Sequence, residues 1–217
     1  MIAAVIQARM GSTRLLGKVM MLIEGKPMLC HVVQRAYQIS GIDTVVVATT
    51  VNREDDAIAE WCVNQGVPRF CGSAEDVLDR YYRCALDVKA DTIMRICADC
   101  PLLDPVLAGL VLAEYRRKPP VDYCSNATPL KPDGTEEVPR TFPDGFDVEV
   151  FSFDALKRAW ESASDPHDRE HVTPWIVRNL KTRHVKNPRG DESHLKWSVD
   201  TMEDLERVRQ IMKEERI

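Results

Sequence analysis

Apolar residues along this chain follow two rhythms that alternate through its first half. Ile2–Ala8, Thr44–Thr49 and Asp91–Ile96 are short, nearly continuous apolar runs bounded by polar residues or glycine, the pattern of strands buried on both faces. Between them, Pro27–Ile39, Arg53–Gln65 and Val77–Val88 repeat apolar positions at helical spacing. Pro27 is placed to open the first helix, and Gly41 and Gly66 are placed to stop the first and second. Strand–helix alternation predicts βαβ units, hence an α/β chain with a parallel sheet covered by helices on both faces.

The rhythm loosens after Pro119, where Pro119-Pro120, Pro129, Pro132-Asp133-Gly134, Pro139 and Pro143-Asp144-Gly145 punctuate the chain. Such spacing predicts turns and short strands. Phe146–Phe151 alternates and predicts a strand, Phe153–Ser162 and Arg169–Leu180 predict helices, Leu195–Val199 a strand, and Met202–Glu215 a final helix. A length of 217 residues suits one domain over 1–217. The Pro-rich stretch, roughly Pro119 to Pro143, is expected to form an inserted arm or lid on it.

Composition narrows the choice of partner. Net charge is −5, with 29 basic and 34 acidic residues interleaved, so a groove for nucleic acid is not expected. No apolar stretch approaches the length that spans a bilayer. The first nine residues, with Gln7 and Arg9, read as a core strand rather than a secretion signal. Seven cysteines, an odd number without framework spacing, suggest reduced thiols and a soluble cytoplasmic protein.

Within this frame, Ala4–Lys18 carries the sharpest chemistry: A-V-I-Q-A-R-M-G-S-T-R-L-L-G-K, an apolar run that breaks into a small-residue loop with three cations. Gly11 and Ser12 let backbone N–H groups approach a ligand, and a loop of this kind after an N-terminal strand is how α/β proteins hold nucleotide phosphates. Nucleotidyl transfer needs cations on the β- and γ-phosphates, because pyrophosphate leaves with added negative charge. Arg14 and Lys18 suit that work, and Arg9 suits the α-phosphate or ribose side. The alternative is a polar surface loop with scattered charge.

This loop resembles the signature of the cytidylyltransferases that make CMP-activated acidic sugars, and most of all the spore-coat-polysaccharide branch, whose loop reads Q-A-R-x-G-S-T-R-L-x-G-K. Gly25-Lys26-Pro27-Met28-Leu29, Asp99-Cys100-Pro101-Leu102 and Trp197-Ser198-Val199-Asp200-Thr201 match that branch too. One departure is Leu16, where these enzymes usually carry proline, which implies a less rigid loop. The resemblance implies a Rossmann-like, three-layer nucleotidyltransferase fold of the nucleotide-diphospho-sugar transferase type. It implies CTP as substrate and Mg2+ as cofactor, and a homodimer is compatible with it.

Further site residues come with the resemblance. Asp99, at the carboxyl end of a strand, and Asp200 are expected to hold Mg2+, although Asp99 could instead cap a turn before Pro101 and Asp200 could serve with Thr201 as a helix cap. Asp79 and Arg80 fall where relatives place groups near the base, with a helical ion pair as the plain alternative. Gln7 and Ala8 are expected to contribute backbone groups there. Asp147, Glu149, Arg169 and His171 resemble acceptor-side segments of the branch, with Arg140 as a further cation.

Two look-alikes compete less well. His167-Asp168-Arg169-Glu170-His171 fits an inverted zinc-protease pattern, but it sits between Pro166 and Pro174 rather than on a long helix. Cys97 and Cys100 fit C-x-x-C at a strand end, where packing is expected. His31 reads as a core or helix-face residue. The expectation is transfer of CMP from CTP to an acidic-sugar acceptor in activated-sugar or cell-surface polysaccharide biosynthesis. The alternatives are a nucleotide-sugar-dependent glycosyltransferase and a non-catalytic nucleotide-binding module.

Overall fold

The computed structural model describes residues 1–127 and 138–215. The chain runs β1 (Ile2–Gln7), a small hairpin of β2 (Leu22–Ile23) and β3 (Lys26–Pro27), α1 (Met28–Tyr37), β4 (Thr44–Thr50), α2 (Asp56–Gln65), β5 (Arg69–Gly72), α3 (Val77–Asp87), β6 (Thr92–Cys97) and α4 (Pro105–Arg116). It continues through β7 (Tyr123–Ser125), β8 (Glu149–Ser152), α5 (Phe153–Ser162), α6 (Pro166–His171), α7 (Pro174–Asn179), β9 (Thr182–His184) and α8 (Met202–Glu215). The centre of the expected arm, with Pro129, Pro132 and Gly134, lies outside the described residues.

Seven strands form one sheet in the order β5-β4-β1-β6-β8-β7-β9. β1 pairs in parallel with both β4 and β6, and β8 runs antiparallel to its neighbours β6 and β7. This is the mixed, mostly parallel α/β sheet that the alternating pattern predicts. Period-2 alternation sorts the strand residues cleanly. Ala4, Ile6, Val45, Val47, Met94 and Ile96 pack with α1, α2, α4 and α8, while Ala3, Val5, Val46, Ala48 and Ile93 pack with α3, α5 and α7. The strand order reverses direction between β1 and β6, and ligands of open α/β sheets bind outside the carboxyl ends at such a point.

Several elements differ from the sequence expectation for local reasons. The helix expected over Arg169–Leu180 is two short helices, because Val172 takes a φ of 72° and Pro174 opens a new first turn. The strand expected at Phe146–Phe151 begins only at Glu149. Upstream of it, the Asn126 side chain donates to the Phe146 carbonyl and accepts from the Val148 N–H, taking the place of a neighbouring strand. Leu195–Val199 is not a strand; it makes a single bridge, Lys196 to Asp144. Helix α4 escapes the period test because Leu110, Val111 and Leu112 spread apolar surface round it. Asp104 caps it, accepting from the Val106 and Leu107 N–H groups at 2.8 and 3.2 Å.

Candidate active site

The loop after β1 is held by its own backbone. The Met10 carbonyl accepts from Ser12 N–H at 2.8 Å and Gly17 N–H at 2.9 Å, while the Met10 N–H donates to buried Asp55 at 2.6 Å. Asp55 also accepts from the Thr50 hydroxyl at the end of β4. Gly11 lies so close to Glu54 that an added Cβ would sit 3.1 Å from Oε1. At the loop's end, Lys18 N–H reaches the Leu15 carbonyl at 3.2 Å and Gly17 has φ 68° and ψ 14°. These values make Leu15–Lys18 a type II turn, which calls for glycine at its third position.

That turn delivers Lys18 inward. Its side chain, in a residue only 8% exposed, gives Nζ bonds to Asp99 Oδ2 at 2.7 Å, the Val199 carbonyl at 2.7 Å and Asp200 Oδ1 at 3.1 Å. Exposed Arg14 donates to the same Asp200 oxygen at 2.9 Å. Burial by itself would lower the Lys18 pKa, but the charge and hydrogen bond of Asp99, joined by those of Asp200, leave it raised. For Asp200 burial pushes upward, and the bond and charge of Lys18, followed by the charge of Arg14, bring the carboxyl below its ordinary value. Two carboxylates from distant parts of the chain thus converge on one ammonium at the reversal of strand order.

The scaffold behind Asp200 explains why its carboxylate is available. Thr201 and Asp204 form the reciprocal cap of α8: Thr201 Oγ1 accepts from Asp204 N–H at 3.3 Å, and Asp204 Oδ2 accepts from Thr201 N–H at 3.0 Å. Capping therefore falls to its neighbours. The chain before Asp200 is clamped by Asp144, whose carbonyl accepts from Trp197 and Ser198 N–H groups, and Val199 N–H reaches the Asp99 carbonyl at 2.8 Å. Gly145 makes this clamp possible, since a Cβ there would stand 2.5 Å from Ser198 N.

Two adjoining cavities open at this edge. One, of about 220 Å³, is lined by Arg9, Ser12, Arg14, Lys18, Asp99 and Asp200. The second, of about 160 Å³, is lined by Ala8, Val77, Arg80, Arg95, Glu170 and His171. Gln7 and Arg9 border both, which sets a ring-sized space beside one lined by cations and carboxylates. Arg80 is 2% exposed, and its Nε has no hydrogen-bond partner among the described residues.

Other expected residues go elsewhere. Asp79 is not part of the second cavity: it forms an ion pair with Arg83 one helical turn on and accepts from Trp160 Nε1 at 2.8 Å. His171 lines that second cavity rather than a separate acceptor pocket. Arg169 is committed to Asp76, the residue that caps α3, and to the Trp160 carbonyl. Asp147 is tied to Arg140 at 2.8 Å, and burial, only partly offset by that cation, pushes its carboxyl up to about 6. Glu149 is buried beneath the site, where it binds Arg95, the Tyr123 hydroxyl and the Thr173 hydroxyl. Asp147, Glu149, Arg169 and His171 therefore do not gather into one acceptor pocket.

Arg95 does not stand out in the sequence, where it reads as one polar position in an apolar strand. The signal lies in its partner: the cross-strand register pairs Arg95 with Glu149, an opposite charge at a strand position of its own. His167 and His171 stand with ring centres 4.5 Å apart. Among the described residues no group of three or more His, Cys, Asp or Glu side chains is placed to hold a metal. Burial pushes the Cys97 thiol up to about 12 and raises Cys100 as well, in keeping with packing. His31 lies within hydrogen-bond distance of the Ile23 carbonyl at 2.9 Å, bracing the hairpin.

A family model described as cytidylyltransferase matches residues 3–215. This chain belongs to the cytidylyltransferase family. It is a nucleotidyltransferase similar to the spore coat polysaccharide biosynthesis protein SpsF of Bacillus subtilis, at 30% identity over 94% of this chain and 83% of that protein. Among solved structures, a cytidylyltransferase from Leptospira borgpetersenii superposes with a TM-score of 0.87 at 30% identity, covering 98% of this chain and 87% of the other. A CMP:2-keto-3-deoxy-manno-octonic acid synthetase complexed with CTP shares the fold, with a TM-score of 0.71 at 24% identity and 99% coverage of both chains. No helix among the described residues of this cytidylyltransferase is long and apolar enough to cross a membrane.

Proposed function

We propose that this cytidylyltransferase moves CMP from CTP to an acidic sugar or a closely related acceptor, releasing pyrophosphate. The observation that carries the reading is the meeting of Lys18 with Asp99 and Asp200 beside a separate ring-sized cavity. A hydroxyl oxygen of the acceptor attacks the α-phosphorus in line. The bond from that phosphorus to the bridging oxygen of the β-phosphate breaks, and the hydroxyl proton passes to water. Arg14 and Lys18 hold the β- and γ-phosphates and stabilise the charge that pyrophosphate carries away. Arg9, Gly11 and Ser12 hold the α-phosphate end, and Arg80 with Gln7 and Ala8 holds the base.

Asp99 and Asp200 suit Mg2+, a hard cation that takes one or two carboxylates and completes its shell with phosphate oxygens and water. Both oxygens that would hold it face the same ammonium here, so the donor set fits. When bound, the ion neutralises phosphate charge. Lys18, on a flexible side chain, would offer its ammonium to phosphate oxygens in place of the carboxylates. Its seven cysteines suit a reducing compartment, and we place the enzyme in the cytoplasm, in cell-surface polysaccharide synthesis.

The test is pyrophosphate release from the intact chain with Mg2+, each of the four nucleoside triphosphates and a panel of acidic sugars. Release with CTP and one acceptor class is expected. No release, together with no rise in melting temperature on adding CTP, would overturn the reading.

A further inference from the structure

Below the second cavity lies a chain of contacts that ends on the side chain of Gln7. Gln7 closes β1 on the α3 side of the sheet, the side that Val5 also faces. Arg95, on the neighbouring strand β6, donates from Nε to Gln7 Oε1 at 3.3 Å and from Nη1 to Glu149. Glu149 is fixed in turn by the Tyr123 hydroxyl at 2.7 Å and by the Thr173 hydroxyl. Burial alone would raise the Glu149 carboxyl, but Arg95 and the two hydroxyls bring it below its ordinary value. Arg95 is thereby held in one orientation between β1 and β8.

This arrangement dictates which end of the Gln7 amide meets a ligand. A guanidinium has only donors, so the amide must turn its oxygen toward Arg95 and its NH2 group away from it. The second donor is Arg80, which lines the same cavity and whose buried Nε lacks a partner among the described residues. Cytosine and uracil differ most sharply at N3, an acceptor in cytosine and an N–H donor in uracil, next to an O2 acceptor common to both. Two donors on residues that line one cavity match the N3 and O2 pair of cytosine. Against uracil, one donor would face another, and a site built to hydrogen-bond one partner discriminates strongly against a ligand that leaves it unpaired.

We propose that the Gln7 side chain, oriented by Arg95, reads N3 of the base and sets the preference for cytidine over uridine nucleotides. Gln7 is the specificity-determining contact and Arg95 a positioning residue, a role for the side chain beyond the backbone contacts expected of that segment. This inference rests on the assignment of CTP as substrate.

Calorimetric titration of the intact chain with CTP and with UTP, in the presence of Mg2+, separates the two claims. The wild-type chain is expected to bind CTP about tenfold or more tightly than UTP. Gln7→Glu stays compatible with Arg95 and offers an acceptor to N3–H, so the ratio is expected to fall by about tenfold or more. Gln7→Leu, which keeps the size and removes the donor, is expected to weaken CTP without weakening UTP; it decides the matter if the Glu variant does not fold. Arg95→Lys is expected to lower the ratio, whereas a purely structural role would weaken both nucleotides together. Retention of the wild-type ratio by the Gln7 variants would overturn the role of Gln7 while leaving CTP binding intact. A wild-type chain that binds neither nucleotide, or both equally, would overturn the substrate assignment and this inference with it.

Discussion

The phosphate end and the base end of the crevice both set cations against carboxylates, and they differ in what holds the cations. Arg14 sits on a loop and Lys18 at its end, and their partners Asp99 and Asp200 stand just after β6 and just before α8. Arg95 and Glu149 are strand residues in register, closed in by Tyr123 and Thr173. A loop lysine can change partners by rotating its side chain, leaving every strand pair in place. A strand arginine can change partners only if the sheet gives way. Similar ion pairs therefore serve exchange at one end and rigidity at the other, and substitutions should cost turnover at the first and stability at the second.

The largest expected effect lies at the base end. Glu149→Ala would strand the buried Arg95 charge, and breaking a buried pair in this way costs about 3–5 kcal/mol. For a chain of this size that is a fall of roughly 10 °C or more in melting temperature, measured by calorimetry. A variant that melts with the wild type would erase the contrast, because it would show the floor to be as replaceable as the mouth.

Next comes Lys18→Ala. Removing one preorganised donor to developing charge costs about 10²-fold in turnover, read as pyrophosphate release, while the melting temperature stays near that of wild type. Unchanged turnover would take Lys18 out of the chemistry. A collapse of the fold would instead make it a structural ion like Arg95.

A pH profile sharpens the comparison away from either end. Asp147 has its carboxyl pushed up to about 6 by burial despite Arg140, so the folded chain takes up a proton there more readily than the unfolded chain. The stabilisation is fully present below the ordinary carboxylate range and is lost as pH rises through about 6. Asp147→Asn should remove that dependence. The stability gap between variant and wild type should then shift by on the order of 1 kcal/mol between pH 4 and 7, followed by urea titration. A gap that stays flat across this range would place the Asp147 titration elsewhere.

How much of this was legible beforehand follows the same division. The half of the sheet around β1, β4 and β6 was readable because each strand is a continuous apolar run and each helix between them has one apolar face. The mouth was readable too, since Arg14, Lys18 and Asp99 sit in short motifs after strands and Asp200 in one just before α8. The floor was not. Arg95 and Glu149 are 54 positions apart, and only the register of β6 against β8 makes them a pair. Glu149 and Arg169 look like site residues in the sequence because charge in a motif suggests a ligand. In the structure both are occupied by partners within the protein. Short β5, β7 and β9, of three or four residues, carry too few positions for any period to show.

The smallest expected effect returns to the loop and to its one departure from the family pattern. Leu16 occupies the second position of the type II turn that ends at Lys18, with Gly17 at the third. That second position favours proline, whose ring fixes φ near the value the turn requires. The Leu16 residue is 71% exposed, so little packing is lost when it is replaced. Leu16→Pro should therefore stabilise the chain by about 0.4–1 kcal/mol, chiefly by reducing the freedom of the unfolded loop. Turnover should stay within about twofold, since Lys18 already reaches Asp99 and Asp200 through the turn that leucine allows. If the substitution lowers the melting temperature instead, the turn is not the one described. If it leaves stability unchanged but raises turnover several-fold, the mouth is limited by the motion of its loop rather than by the exchange of partners at Lys18, and the distinction between a mobile cation and a rigid scaffold has to be drawn within the loop itself.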